Sequence, residues 1–90
     1  MFHKIKKVTA LPGYKLAVLF EDESQKEYDV NPLFGIWSAF QDLKNIDGLF
    51  HQVRVDTGGY GISWNDNIDL SCEELWENGK PIGGGNAKQM

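Results

Sequence analysis

Cysteine is almost missing from this chain: Cys72 is the only one among 90 residues. No disulfide can form within the chain, whereas small domains from oxidising compartments usually carry several. Long apolar runs are missing too. No window approaches the roughly 18 consecutive apolar residues of a membrane-spanning helix. The opening residues, Met1-Phe2-His3-Lys4-Ile5-Lys6-Lys7, lack the apolar stretch of a signal peptide. A cytoplasmic location without membrane contact is therefore expected. Each sign of charge is also absent somewhere. Residues 1–20 contain no acid, and residues 56–78 contain no base. With a net charge of −4 and a pI near 5.0, direct binding of nucleic acid or of an anionic membrane is not expected.

What is present is aromatic. Three Trp, five Phe and three Tyr in a chain that is 41% hydrophobic can build one core without a metal or disulfide staple. A chain of this length buries only about 60% of its unfolded surface, so each large apolar side chain counts. The charges are polarised: Lys4, Lys6, Lys7 and Lys15 stand near the start, and six acids lie within residues 56–78. Such a surface suits head-to-tail association or a charged protein partner. The two segments could equally be neighbours that neutralise one another.

Residues 4–11 are strand-like, with a bulge or edge expected at Lys6-Lys7. After the Pro12-Gly13 turn, Tyr14, Leu16, Val18 and Phe20 recur at period two, with Ala17 and Leu19 on the other face. A polar turn, Glu21-Asp22-Glu23-Ser24, leads to a third strand over residues 25–30, which completes an antiparallel meander. Asn31-Pro32 is a helix start. Leu33, Phe34, Trp37, Phe40 and Leu43 follow at helical spacing, while Gly35 and Ser38 predict a kink or two short helices. Residues 46–50 should turn and deliver Leu49 and Phe50 to the core. Residues 52–56 and 60–64, joined by Thr57-Gly58-Gly59, read as a second hairpin with Tyr60, Ile62 and Trp64 on one face.

The last helix has the clearest local signal. Ser71 and Glu74 fit a capping box, and Leu70 with Leu75 a hydrophobic staple. Cys72, Leu75 and Trp76 share a face. Gly79 is placed to end the helix in a left-handed conformation, with Pro81 preventing its resumption. The expected organisation is one α+β domain over residues 1–80, in the order β-β-β-α-β-β-α. It comprises an antiparallel meander and a hairpin with short helices packed on one face. Residues 81–90, with Gly83-Gly84-Gly85, have the composition of a flexible tail.

Chemistry is sparse. Cys72 sits at a predicted helix N-terminus, where a dipole lowers a thiol pKa, but it shares the apolar face of Leu75 and Trp76 and reads as a buried, inert thiol. His3 and His51 are the only bases it could use, and His51 reads as a boundary residue. Gly58-Gly59-Tyr60-Gly61 lacks the Lys-Ser/Thr of a phosphate loop and joins two strands, so it reads as a turn. Asn65-Asp66-Asn67-Ile68-Asp69 alternates oxygens as a calcium loop does. However, the required glycine is Leu70 and the twelfth position is Trp76, so a turn feeding the helix cap explains it. The aromatics share faces with Leu, Ile and Val rather than with Lys or Arg, which suits a core rather than a base-stacking surface. No catalytic residue, metal or cofactor is expected, and the chain reads as a non-enzyme.

Several separated runs carry a family resemblance. They are Asp29-Val30-Asn31-Pro32-Leu33-Phe34, Phe50-His51-Gln52-Val53-Arg54-Val55-Asp56, Gly59-Tyr60-Gly61-Ile62-Ser63-Trp64-Asn65-Asp66 and Asp69-Leu70-Ser71-Cys72-Glu73-Glu74-Leu75-Trp76. Over about residues 1–80 the chain resembles the bacterial family called domain of unknown function 2442. One departure is Ser38, where many relatives have Pro. The resemblance implies a bacterial protein with a meander, helix, hairpin, helix fold. Some relatives carry a helix-turn-helix domain after this module, and some are encoded beside another small protein in a manner suggestive of toxin–antitoxin pairs. It implies no catalytic residue.

The leading expectation is a non-enzymatic protein-interaction or regulatory module, antitoxin-like in its family setting. Asp66, Asp69, Glu73 and Glu77 are its candidate contacts for a basic partner. The alternative is a small-ligand-binding or sensor domain with a pocket lined by Trp37, Tyr60 and Trp64. A protein partner or a homodimer is expected under the first reading, and the strand edges of a meander leave dimerisation open.

Overall fold

A computed structural model describes residues 2–82. Three strands open the chain: β1 (Ile5–Leu11), β2 (Lys15–Phe20) and β3 (Gln25–Asp29). They pair antiparallel as the predicted meander. The period-two residues Leu16, Val18 and Phe20 are fully buried, so the pattern in β2 does select its core face. The register slips between Ile5 and Lys7 on β1, and β1 is also an edge strand, so the Lys6-Lys7 pair marks both features at once. Tyr14 closes the first turn with a positive φ of 60° after Gly13 at 78°. Its ring packs edge-on against Phe34 and Phe50, which holds a backbone that a tyrosine rarely adopts.

The middle of the chain is less helical than its spacing suggests. It consists of a 3-10 turn Asn31–Gly35, a second one Ser38–Gln41, and the single-turn helix α1 (Asp42–Asn45). Asn31 does not cap the first turn. Its amide donates instead to the Gly13 carbonyl and the Asp29 carboxylate, which ties the meander's open end and holds the Asp29 carboxyl below its usual range. Trp37 is extended, with φ −123° and ψ 118°, and separates the two turns. That break resets the helical rotation. Leu33, Phe34, Phe40 and Leu43 reach the core, whereas Trp37 does not and is 49% exposed. Leu49 and Phe50 are buried by a further 3-10 turn, as residues 46–50 predict.

The second sheet is richer than a hairpin. β4 (Arg54–Val55) and β5 (Gly61–Asn65) form the expected pair, and β6 (Ile68–Ser71) adds a third strand. This additional strand alternates buried Ile68 and Leu70 with exposed Asp69 and Ser71. Its period-two signal is obscured by the Asn/Asp turn before it and the helix cap at its end. Helix α2 (Cys72–Asn78) follows directly. Gly79 ends it in an extended conformation, φ −78° and ψ 155°, rather than the expected left-handed one. The extended exit lets β7 (Lys80–Pro81) pair with β3. A left-handed residue would have turned the chain away from that edge. The expected boundary at residue 80 thus falls inside this strand. The Ile82 N–H also reaches the Gln25 carbonyl, and residues 83–90 of the predicted tail lie outside the described part.

The strand orders are β1-β2-β3-β7 and β4-β5-β6. β1 runs beside β4, and α2 packs on β3, β5 and β6, so both sheets share one core. Within Gly58-Gly59-Tyr60-Gly61, Gly59 packs against β1 of the first sheet, while Gly61 packs against β6 of its own sheet. A side chain at Gly59, whose φ is +81°, would stand 2.7 Å from the Ile5 carbonyl, and one at Gly61 2.7 Å from the Leu70 carbonyl. Close strand approach explains these glycines without a ligand.

Candidate functional site: an acid-rimmed apolar groove

The four candidate acids fall into two different settings. Glu73 lies on α2 and is already engaged. It accepts the His3 backbone N–H at 2.8 Å, and both its oxygens stand 3.3 Å from His3 Nδ1. The His3 N–H holds the Glu73 carboxyl below its usual range. The His3 ring lies parallel to Trp76 at 3.7 Å between centroids. Lys26 Nζ sits 3.9 Å from the Trp76 ring centre and donates to the Trp76 carbonyl. Glu77 is one turn further along the helix and exposed.

The capping box is half formed. Ser71 Oγ accepts the Glu74 N–H at 3.1 Å. The Glu74 carboxylate does not return to Ser71; it accepts from Tyr28 Oη at 2.8 Å and Asn78 Nδ2 at 3.0 Å. Burial, and then the Glu74 carboxylate, push the Tyr28 hydroxyl well above its ordinary pKa. A local cap is exchanged for a tie between α2 and β3.

Asp66 and Asp69 are exposed on other elements, the β5–β6 turn and β6, which leads directly into α2. The Asn65 carboxamide accepts the Asn67 N–H, so the run with calcium-loop alternation is a tight turn. Among the described residues no three His, Cys, Asp or Glu side chains cluster to hold a metal. Beside β6 runs the 36–40 segment, and the two enclose an open groove of about 530 Å³ lined by Ile36, Trp37, Phe40, Asn67 and Asp69. Ile36 and Trp37 are 63% and 49% exposed and adjacent, so they form a small apolar patch rather than a single exposed side chain. Phe40 forms the floor and meets the ring of Trp64 edge-on at 6.0 Å.

The three residues expected to line one ligand pocket do not converge. Trp37 lies on this groove, but Trp64 is 2% exposed and its indole N–H donates to the Phe50 carbonyl at 3.0 Å. Tyr60 is on the surface, edge-on to Phe2 and beneath Lys4. Tyr60 precedes β5 with φ −83° and ψ −5°, so the alternation that buries Ile62 does not extend to it. A second concavity of about 310 Å³ lies between the Gly13 turn and residues 43–51. It mixes Lys44, Asp47 and His51 and presents no exposed aromatic of its own. The Cys72 thiol is buried, and burial, followed by the Glu73 charge, raises its pKa away from thiolate chemistry. No helix is long and apolar enough to cross a membrane.

Fold and groove together define a small two-sheet α+β domain with an open, largely apolar groove that has Asp69 in its lining. The chain matches, over residues 5–81, the family described as "Protein of unknown function (DUF2442)", and it belongs to that family. Comparison with curated proteins and with solved structures found no match.

Proposed function

We propose that this chain is a non-enzymatic interaction module whose groove between the 36–40 segment and β6 receives a basic segment of a partner protein. The observation that carries this reading is the pairing of exposed Trp37 and Ile36 with Asp69 in one concavity. An indole with an open face attracts a cation as well as apolar surface, and Asp69 with Asp66 supplies long-range attraction to a basic partner. The net charge of −4 acts in the same direction. Of the four candidate acids, Asp69 lines this site and Asp66 stands on the adjoining β5–β6 turn. Glu73 is committed to His3, and Glu77 stands on a different element. In its finer form, the chain is the antitoxin-like or regulatory member of a bacterial, cytoplasmic pair, as the family resemblance implies. The small-ligand reading keeps only Trp37 at the groove and is not carried by a second observation.

The test is purification of tagged protein from its native host, with mass spectrometry and sizing of what accompanies it. Wild-type protein should bring down one stoichiometric companion that is released at high salt, and Trp37→Ala should bring down none. Equal recovery with both chains would remove the groove from the interaction.

A further inference from the structure

One wall of this groove is an unpaired strand edge, and a role for that edge in binding rests on the groove being the partner site. β6 bonds to β5 on one side only. The Cys72 N–H donates to the Tyr60 carbonyl at 2.8 Å, and the register continues with Ile62 opposite Leu70 and Ser63 opposite Asp69. On the far side of β5, the Asp56 N–H donates to the Gly61 carbonyl at 2.9 Å. Backbone groups alternate sides along an antiparallel strand. Tyr60 and Ile62 therefore bond toward β6, while Gly61 and Ser63 bond toward β4. On β6, Leu70 and Cys72 face β5, so the N–H and C=O of Asp69 and the N–H of Ser71 point outward.

Among the described residues no backbone bond joins that outer side to another element. The Ser71 N–H is the very donor a reciprocal capping glutamate would take, and Glu74 is turned to Tyr28 and Asn78 instead. The edge is left available from both directions: no neighbouring strand covers it, and no capping side chain blocks its end.

The geometry points to strand addition: the partner protein lays an extended segment along β6, and that segment alternates apolar and basic side chains. The alternation follows from the two faces of the second sheet. Ile68, Leu70 and Trp64 face the core, and Phe40 meets Trp64, so the 36–40 segment walls the groove on the core side. Asp69 sits opposite Ser63 on the other face. An added strand presents successive side chains to opposite faces. One set meets Ile36 and Trp37 and is apolar; the other runs beside Asp69 and is Lys or Arg.

The probe is an end-blocked hexapeptide of alternating Lys and Val, titrated into the full-length 15N-labelled protein. Its comparisons are the same residues in two blocks, alternating Glu and Val, and the Lys–Val peptide N-methylated at alternate amides in either register. The alternating Lys–Val peptide should shift the Asp69 and Ser71 amides and slow hydrogen exchange at Asp69 on the order of tenfold at saturation. The Glu–Val peptide and at least one N-methylated register should do neither, and Asp69→Lys should abolish the effect. If the block and both N-methylated peptides bind as well as the alternating one, with Trp37 required, strand addition is wrong while the groove reading stands. The same holds if the Trp37→Ala chain loses its companion yet no peptide moves the β6 amides. Failure of every Lys peptide, with the companion retained by Trp37→Ala, overturns both. An Asp69 amide already protected in the free protein, with concentration-dependent dimerisation, would put a second copy on this edge and overturn the partner assignment.

Discussion

Around α2 most polar groups are engaged within the chain, with exposed Glu77 the exception. Glu73 holds His3, Glu74 holds Tyr28 and Asn78, and Lys26 covers Trp76 while bonding its carbonyl. At the β6 end they are left over. Asp66 and Asp69 have no basic partner among the described residues, the outer edge of β6 is unpaired, and Ile36 and Trp37 lie open beside it. Both ends carry acids and a tryptophan, so composition alone does not separate them. The difference lies in how far the groups are already satisfied within the chain, and on the proposed reading the less satisfied region is the recognition surface.

Tryptophans that differ in burial should respond most differently to truncation. Trp64→Ala removes a buried ring and orphans the Phe50 carbonyl, and urea unfolding should show a loss of about 3–5 kcal/mol. Next, Tyr28→Phe removes the hydroxyl that ties β3 to α2. Because Glu74 keeps Asn78 and solvent, the same assay should register about 1 kcal/mol. A third effect appears on acidification. The Glu73 carboxyl is held below its usual range in the folded state. Its contribution is therefore complete above the ordinary carboxylate pKa and disappears as pH falls through the lowered folded value. Thermal melts from neutral pH to about pH 2 should show a smaller acid-side decline for Glu73→Gln than for wild type. The smallest stability change should come from Trp37→Ala, within about 0.5 kcal/mol of wild type, even though binding is lost. A large destabilisation there would make Trp37 part of the core and erase the distinction between the two ends.

Much of the scaffold is legible in the sequence because burial imposes simple periods. Leu16, Val18 and Phe20 identify β2, the Lys6-Lys7 irregularity marks a true register slip, and Ser71 does cap α2. The departures share a physical cause, in that tertiary partners outcompete local ones. Asn31 bonds across to Gly13 instead of capping, Glu74 reaches Tyr28 instead of Ser71, and Gly79 stays extended so that Lys80–Pro81 can join β3. β6 is visible in the alternation of Ile68 and Leu70 with Asp69 and Ser71, but the overlapping cap signal points to the helix instead. The groove is only half legible. Asp69 and Trp37 each stand out as candidates, yet under different functions, because nothing in the spacing announces that residues 32 positions apart line one concavity. Helical spacing puts Trp37 in the core, as a continuous helix would; the extended residue at that position moves it to the surface.

The most direct test compares two charge reversals against the native companion, once it is purified: Asp69→Lys on the open β6 edge and Glu77→Lys on the exposed face of α2. Isothermal titration with each variant should show binding lost for Asp69→Lys and essentially retained for Glu77→Lys, with both chains folded by circular dichroism. Loss with Glu77→Lys and retention with Asp69→Lys would contradict the account and move the recognition surface to α2.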